Sequence, residues 1–112
     1  MSKVYSCGAL RAEHTGETVT VKGWVNRRRD LGQLIFIDLR DRSGMVQLAF
    51  DPQISEQAHK LAEAVRSEYV LAATGVVRKR PEGTENPKLS TGEIEISVTG
   101  LEILNPAKPL PF

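Results

Sequence analysis

Three observations predict an all-β fold with one helix: five strands closing into a small Greek-key barrel, the helix lying between strands three and four. Residues 18–28, 34–40 and 45–50 are three consecutive runs in which apolar and polar side chains alternate with the period of a half-buried strand. The stretch after them switches to helical spacing, and two further strand-like runs follow, separated by a long polar loop. A sandwich or an SH3-like barrel would accommodate the strands but not a helix at that place.

The bulk properties set the frame. A chain of 112 residues makes one domain with a modest core, and its charged content of 26% against 40% hydrophobic suits a water-exposed globule. With a formal net charge of +1, nucleic acid could be held only by a local patch, not by bulk charge. The single cysteine, Cys7, excludes an internal disulfide and a cysteine-rich zinc site, as expected in a reducing cytoplasm. No apolar run approaches the ~20 residues of a membrane helix, and the start, MSKVYSCGAL, is too polar for a secretory signal. A membrane partner is therefore not expected.

Residues 1–18 read as a lead-in with one turn of helix near residues 9–14, bracketed by Gly8 and Gly16. His14 and Cys7 there read as packing or surface residues. In the first strand Val19, Val21, Gly23 and Val25 face inward, and Thr20, Lys22, Trp24, Asn26 and Arg28 outward. Trp24 is expected to pack against the lead-in around Leu10. The connection 29–33 holds Leu31-Gly32, a hairpin signal in which glycine supplies a positive φ. The second strand turns Ile35, Ile37 and Leu39 inward and Phe36 outward. After the turn Asp41-Arg42-Ser43-Gly44, the third turns Val46, Leu48 and Phe50 inward and Gln47 outward.

Asp51-Pro52 is read as the helix start, with Asp as cap and Pro in the first turn. Ile54, Ala58, Leu61, Ala62 and Val65 form one apolar face, which should plug an open barrel end; His59 falls on the wet side. Strand four covers about residues 69–78, and 79–92 is a polar loop. Strand five, residues 93–104, turns Ile94, Ile96 and Val98 inward and Glu93, Glu95 and Ser97 outward. Pro106, Pro109 and Pro111 mark residues 105–112 as the start of a linker, so residues 1–104 read as the front domain of something longer. This element order is that of the OB-fold.

Barrels of this kind take single-stranded nucleic acid on the outer face of strands one to three, flanked by the loops after strands one and four. Phe36, mid-strand on that face, either stacks on an unpaired base or merely covers a barrel edge. Gln47 offers a donor and an acceptor to one base edge, or is an ordinary polar strand residue. Arg27, Arg28 and Arg29, with Asn26 beside them, could meet phosphates or a base edge, or form a solvated turn. Arg78, Lys79 and Arg80 would make a second basic cluster across the face. Glu93 and Glu95 could accept from a base amino group and repel misplaced phosphate. No catalytic constellation, metal spacing or phosphate-cradling glycine motif is present; Asp38 and Asp41, flanking Arg40, read as turn and ion-pair residues.

The stretch GWVNRRRDLGQLIFIDLRDRSGMVQL closely resembles the N-terminal anticodon-binding domain of bacterial aspartyl-tRNA synthetases. The resemblance continues from YSCGALRAEHTGETV through FDP and TGEIEI to LEILNPAKPLPF. Asparaginyl and lysyl enzymes of class IIb share a looser version; the contiguous RRRDLG and TGEIEI favour the aspartyl type. The resemblance implies that Phe36 stacks on an anticodon base, that Gln47 reads the middle uridine, and that Arg29 and its neighbours contact the third base and backbone. Glu95 would help recognise the first base, with contacts from Asn86 or Arg80 added by the loop 81–90. It further implies that tRNA(Asp) is the partner and that the parent is a cytoplasmic aspartate–tRNA ligase, a homodimer. The parent's ATP and magnesium chemistry would sit in a catalytic domain outside these residues. The chain itself would then be a non-catalytic monomer without a cofactor. A general single-stranded-DNA module would instead want a strongly basic, sequence-blind face, and a protein- or sugar-binding OB domain would need no aromatic–amide–arginine row.

Overall fold

A computed structural model describes residues 3–66, 69–80 and 92–105. The elements run β1 (Lys3–Tyr5), a 3-10 turn (Ala12–His14), β2 (Thr18–Leu31), β3 (Leu34–Asp41), β4 (Gly44–Phe50), α1 (Glu56–Ala64), β5 (Val70–Lys79) and β6 (Ile94–Asn105). The strand order β1-β2-β3-β4-β6-β5 is closed by a further pairing of β2 with β5, so five strands form a barrel and β1 is appended to β2. The helix follows the third barrel strand, as the OB-fold requires. The short parallel strand β1 was not anticipated; three residues carry too little pattern to announce one.

Alternation decides which side chains enter the barrel. Val19, Val21, Val25, Ile37, Leu39, Leu48, Phe50, Ile94 and Ile96 are fully buried, so the inward set expected from the sequence forms the core; Leu71 and Val77 join it from β5, whose register the sequence leaves open. Barrel curvature needs close backbone approaches, and Gly23 is one: a Cβ there would run into the Arg40 carbonyl. The β2–β3 hairpin is tighter than expected. Leu31 pairs with Leu34, leaving a two-residue loop in which Gly32 takes φ 65°.

One expectation about faces is corrected. A bulge between Val25 and Arg27 places one extra residue, Asn26, in β2: Val25 pairs with Leu39, while Arg27 pairs with Asp38. Parity reverses beyond it. Arg28 now pairs with the core residue Ile37 and points to the helix side rather than to the outer face. Its Nη1 donates to the carbonyls of Ala62 (3.2 Å), Glu63 (2.7 Å) and Val65 (3.0 Å), closing the C-terminal end of α1. Its Nη2 reaches Asp30 at 3.2 Å.

The helix start is also corrected. Ser55, not Asp51, is the N-cap, its side chain accepting from the Ala58 amide at 3.2 Å. Asp51 instead holds a preceding turn, its Oδ1 accepting from the Gln53 amide and its carbonyl from those of Ile54 and Ser55. Ile54 therefore lies outside the helix and is exposed, while Ala58, Ala62 and Val65 close the barrel end. His59 is not idle: Nε2 lies 2.7 Å from the Gln33 carbonyl and Nδ1 3.2 Å from Glu63, so it ties α1 to the β2–β3 hairpin.

At the other end, Asp41 fastens the lead-in to the β3–β4 turn. It accepts from the Cys7 amide, the Ser43 amide (both 2.8 Å) and the Ser43 hydroxyl (2.6 Å). Partial burial works to raise the Asp41 carboxyl, but these hydrogen bonds outweigh it and leave the group below the usual 3.8. Cys7 is fully buried and its thiol is pushed up to about 12 by burial and then by the Asp41 charge.

Three outcomes are expected. Arg28→Met should lower unfolding free energy by about 1–2 kcal/mol without changing the urea m-value, because it uncovers the helix's last carbonyls. The depressed Asp41 carboxyl contributes stability above its unfolded value, lost as pH falls through its lower folded value; acid unfolding of Asp41→Asn should therefore show a shallower loss below about pH 4. In the native chain Cys7 should not react with a disulfide reagent at about pH 8, and should react once urea unfolds it.

Candidate nucleic-acid interface

Barrel closure brings the outer residues of four strands into rows. On one row Arg29 pairs with Phe36, Phe36 with Ala49, and Ala49 with Ser97. On the next Arg27 pairs with Asp38 and Asp38 with Gln47, while across the parallel β4–β6 contact Glu95 pairs with Arg78. Two residues that stand 48 apart in sequence thus become neighbours.

The side chains on these rows are joined. Arg29 Nη2 donates to Gln47 Oε1 at 2.8 Å, and Gln47 Nε2 donates to Glu95 Oε1 at 2.8 Å. Arg78 Nε donates to Glu95 Oε2 at 2.7 Å, with its Nη2 at 2.6 Å from the same oxygen. Arg29 also stands 3.8 Å from Asp38, and its Cζ lies 5.8 Å from the centre of the Phe36 ring. The middle of this face is not wet, as alternation alone suggested: Gln47 is 6% exposed and Glu95 1%. A buried carboxylate is tolerable only when paired and hydrogen-bonded, and Glu95 has partners on both oxygens.

The network also orients the Gln47 amide. Arg29 requires an acceptor on its side and Glu95 a donor on the other, so only one of the two amide orientations fits. One N–H and one carbonyl lone pair of the amide remain for a third party. Arg29 Nε is buried with no hydrogen-bond partner, the one such side-chain atom among the described residues.

Of the residues singled out from the sequence, Phe36, Gln47, Arg29, Glu95 and Arg78 come together here. Arg27 and Asn26 are exposed beside the bulge, and Glu93 is exposed just before β6. Arg28 faces the helix instead. Arg80 does not stand on a basic rim: it is 8% exposed and its Nε donates to the Ile94 carbonyl at 3.1 Å. The loop 81–90, with Asn86, and residues 106–112 lie outside the described residues. Sequence reading missed that Asp38 joins the face through Arg29; its outward parity on β3 was the available signal. Ser97, expected to face outward, borders Ala49 on the floor of the face and is 8% exposed.

Among the described residues no group of histidine, cysteine or carboxylate side chains could hold a metal ion, and no helix is long and apolar enough to cross a membrane.

Comparison with known proteins places the chain in a family. Residues 19–104 match the tRNA anticodon family, described as an OB-fold nucleic acid binding domain. The Aspartate--tRNA(Asp/Asn) ligase of Dictyoglomus turgidum is 57% identical over 112 residues, 100% of this chain and 19% of that protein. The Aspartate--tRNA ligase of Halalkalibacterium halodurans is 56% identical over 112 residues, again 100% of this chain and 19% of that protein. The chain thus spans about a fifth of the length of these curated relatives. An aspartyl tRNA synthetase from Entamoeba histolytica shares the fold with a TM-score of 0.81 at 23% identity, over 97% of this chain and 23% of that one. OBody AM3L15, solved bound to hen egg-white lysozyme, has a TM-score of 0.77 at 27% identity, over 99% of this chain and 96% of that one. A closed five-strand barrel, a helix after its third strand and a family match across residues 19–104 agree: the chain belongs to the OB-fold nucleic acid binding domains of the tRNA anticodon family.

Proposed function

We propose that the chain reads the anticodon loop of tRNA(Asp) for a parent aspartate–tRNA ligase, of which it forms the N-terminal domain. The observation that carries this reading is the chain of hydrogen bonds Arg29–Gln47–Glu95–Arg78 set beside the Phe36 ring. Unpaired bases are recognised by stacking and by hydrogen bonds to their Watson–Crick edges. Phe36 supplies the stacking surface.

Gln47 keeps one donor and one acceptor in fixed order, which suits the imide edge of a uridine, the middle anticodon base. Glu95 accepts from the amino or imino group of the first base, held in place by Arg78. Arg29, held by Gln47 and Asp38 beside the Phe36 ring, meets the third base with its unused Nε. A buried donor without an acceptor costs about 1–3 kcal/mol, so an acceptor arriving there recovers stability that the free protein lacks. Arg27 and Asn26 lie beside these contacts, and Glu93 guards the edge against misplaced phosphate. Arg28 and Arg80 support the scaffold rather than the RNA.

In this reading the chain alone aminoacylates nothing and needs no cofactor; ATP and magnesium serve the catalytic part of the parent. The parent works in the cytoplasm as a homodimer, while the isolated chain is a monomer.

The test is binding of the 112-residue chain to an RNA hairpin carrying the aspartate anticodon. Phe36→Ala should weaken binding by roughly 1–3 kcal/mol, or about 5- to 150-fold. Changing the middle uridine and making Gln47→Ala should each weaken binding, and the two losses should not add. Equal affinity for every loop sequence, or no effect of Phe36→Ala, would sink the reading.

A further inference from the structure

The charges on the outer face fall into two groups. Arg29 and Arg78 are engaged with Gln47, Asp38 and Glu95. Arg27 and Arg40 are exposed, and neither has an ion pair or a side-chain hydrogen bond among the described residues. The register puts them on the same face as Phe36: Arg27 is directly opposite Asp38, and Arg40 is two residues further along β3, opposite Trp24. Two residues of strand advance about 7 Å, so Arg27 stands on the row of Asp38 and Gln47 and Arg40 on the next outward row toward the β3–β4 turn. Trp24, half-buried on the outer face, stands opposite Arg40 and on the same strand as Arg27.

The neighbouring acids have their close contacts elsewhere. Asp38 faces Arg29, and the Asp41 carboxylate is filled by Ser43 and Cys7. Met45, opposite Arg40 on β4, carries no charge. The result is a short track of two exposed cations without ion pairs of their own among the described residues, continuous with the enclosed, internally paired centre.

We infer that Arg27 and Arg40, with Trp24 opposite Arg40, hold the sugar–phosphate chain of the RNA strand where it runs on from the bases seated at Phe36 and Gln47. This rests on the reading of the face as an RNA site, and adds to it a backbone subsite and a direction for the strand. The chemistry follows from charge. Phosphate contacts position a strand without carrying sequence information, and unpaired, hydrated arginines suit that task. The centre, whose charges already compensate one another, suits base edges instead. Trp24 offers its ring to a ribose between two phosphates.

Salt dependence separates the two kinds of contact. Each single-strand phosphate neutralised contributes about 0.7 to the slope of log K against log salt. With the anticodon hairpin as probe, Arg27→Gln and Arg40→Gln should each reduce that slope by about 0.7 and leave the ratio between matched and middle-base-changed hairpins as in the unaltered chain. Lys60→Gln, a like charge change on the exposed side of α1, should leave the slope unchanged.

A second arm uses single-stranded oligonucleotides. Both arginine variants should bind the anticodon trinucleotide as the unaltered chain does, and should bind an oligonucleotide extended on each side more weakly. Slopes equal to that of the unaltered chain, or losses as large with the trinucleotide as with the extended strand, would overturn the backbone subsite. If the unaltered chain itself ignores the middle base, the anticodon reading fails on that ground, and the slopes still decide whether the arginine row meets phosphate.

Discussion

Glu95 is a carboxylate on the outer wall of a barrel, with 1% of its surface exposed. An ionised group at that depth is costly unless its oxygens are met, and meeting them requires two distant parts of the chain to arrive together. Arg78 comes from the neighbouring antiparallel strand, where it pairs directly with Glu95. Gln47 comes across the β4–β6 contact, two residue pairs of parallel ladder that form one link of the closed barrel. Disrupting closure would separate Gln47 from Glu95, turn the amide loose and leave the carboxylate with one partner. The geometry that makes the face selective is therefore the same geometry that makes the barrel a barrel.

The second constraint is the single extra residue in β2. Without the bulge at Asn26, strict alternation would send Arg28 outward with Phe36 and turn Arg29 toward the helix. With it, Arg29 reaches Gln47 and stands by the Phe36 ring, while Arg28 closes the carbonyl end of α1. Three identical residues in a row thus take three roles. Arg27 stays in solvent, Arg28 binds the helix to the sheet, and Arg29 fixes the orientation of an amide. His59 adds a second tie between the same helix and the hairpin that carries these arginines. The helix is remote from Phe36 in sequence, yet it braces the loop beside it.

These two features mark where sequence reading succeeds and where it stops. Alternation identified the buried set in β2 as far as Val25 and in β3, β4 and β6, because burial of every second side chain has a strong and local signature; in β5 adjoining small apolar residues blur it. Gly32 announced the hairpin for a similar reason, since few other residues accept its backbone conformation. A bulge leaves no such mark: RRR reads alike in either parity, so Arg28 was assigned to the wrong face. Asp51 and Ser55 are both competent caps, and only the packing of Ala58 and Ala62 into the barrel end decides between them. Arg80 looked like a rim cation because charge predicts exposure on average; its burial depends on a carbonyl of β6 that periodicity cannot place beside it.

Near-neutral net charge then has a structural explanation in the proposed role. A site that gripped RNA through unpaired cations alone would bind any strand, with affinity collapsing as salt rises. Here the arginines nearest the base-reading groups are already compensated by Asp38 and Glu95, so little attraction remains at the centre for a phosphate. A base enters by offering groups that fit the remaining donor and acceptor of Gln47 and by covering Phe36, whereas a wrong base leaves buried polar groups without partners. Discrimination in such a site comes from the penalty on misfits more than from the strength of any one contact. Holding the amide, the carboxylate and the guanidinium in place before RNA arrives makes that penalty hard to escape by local rearrangement.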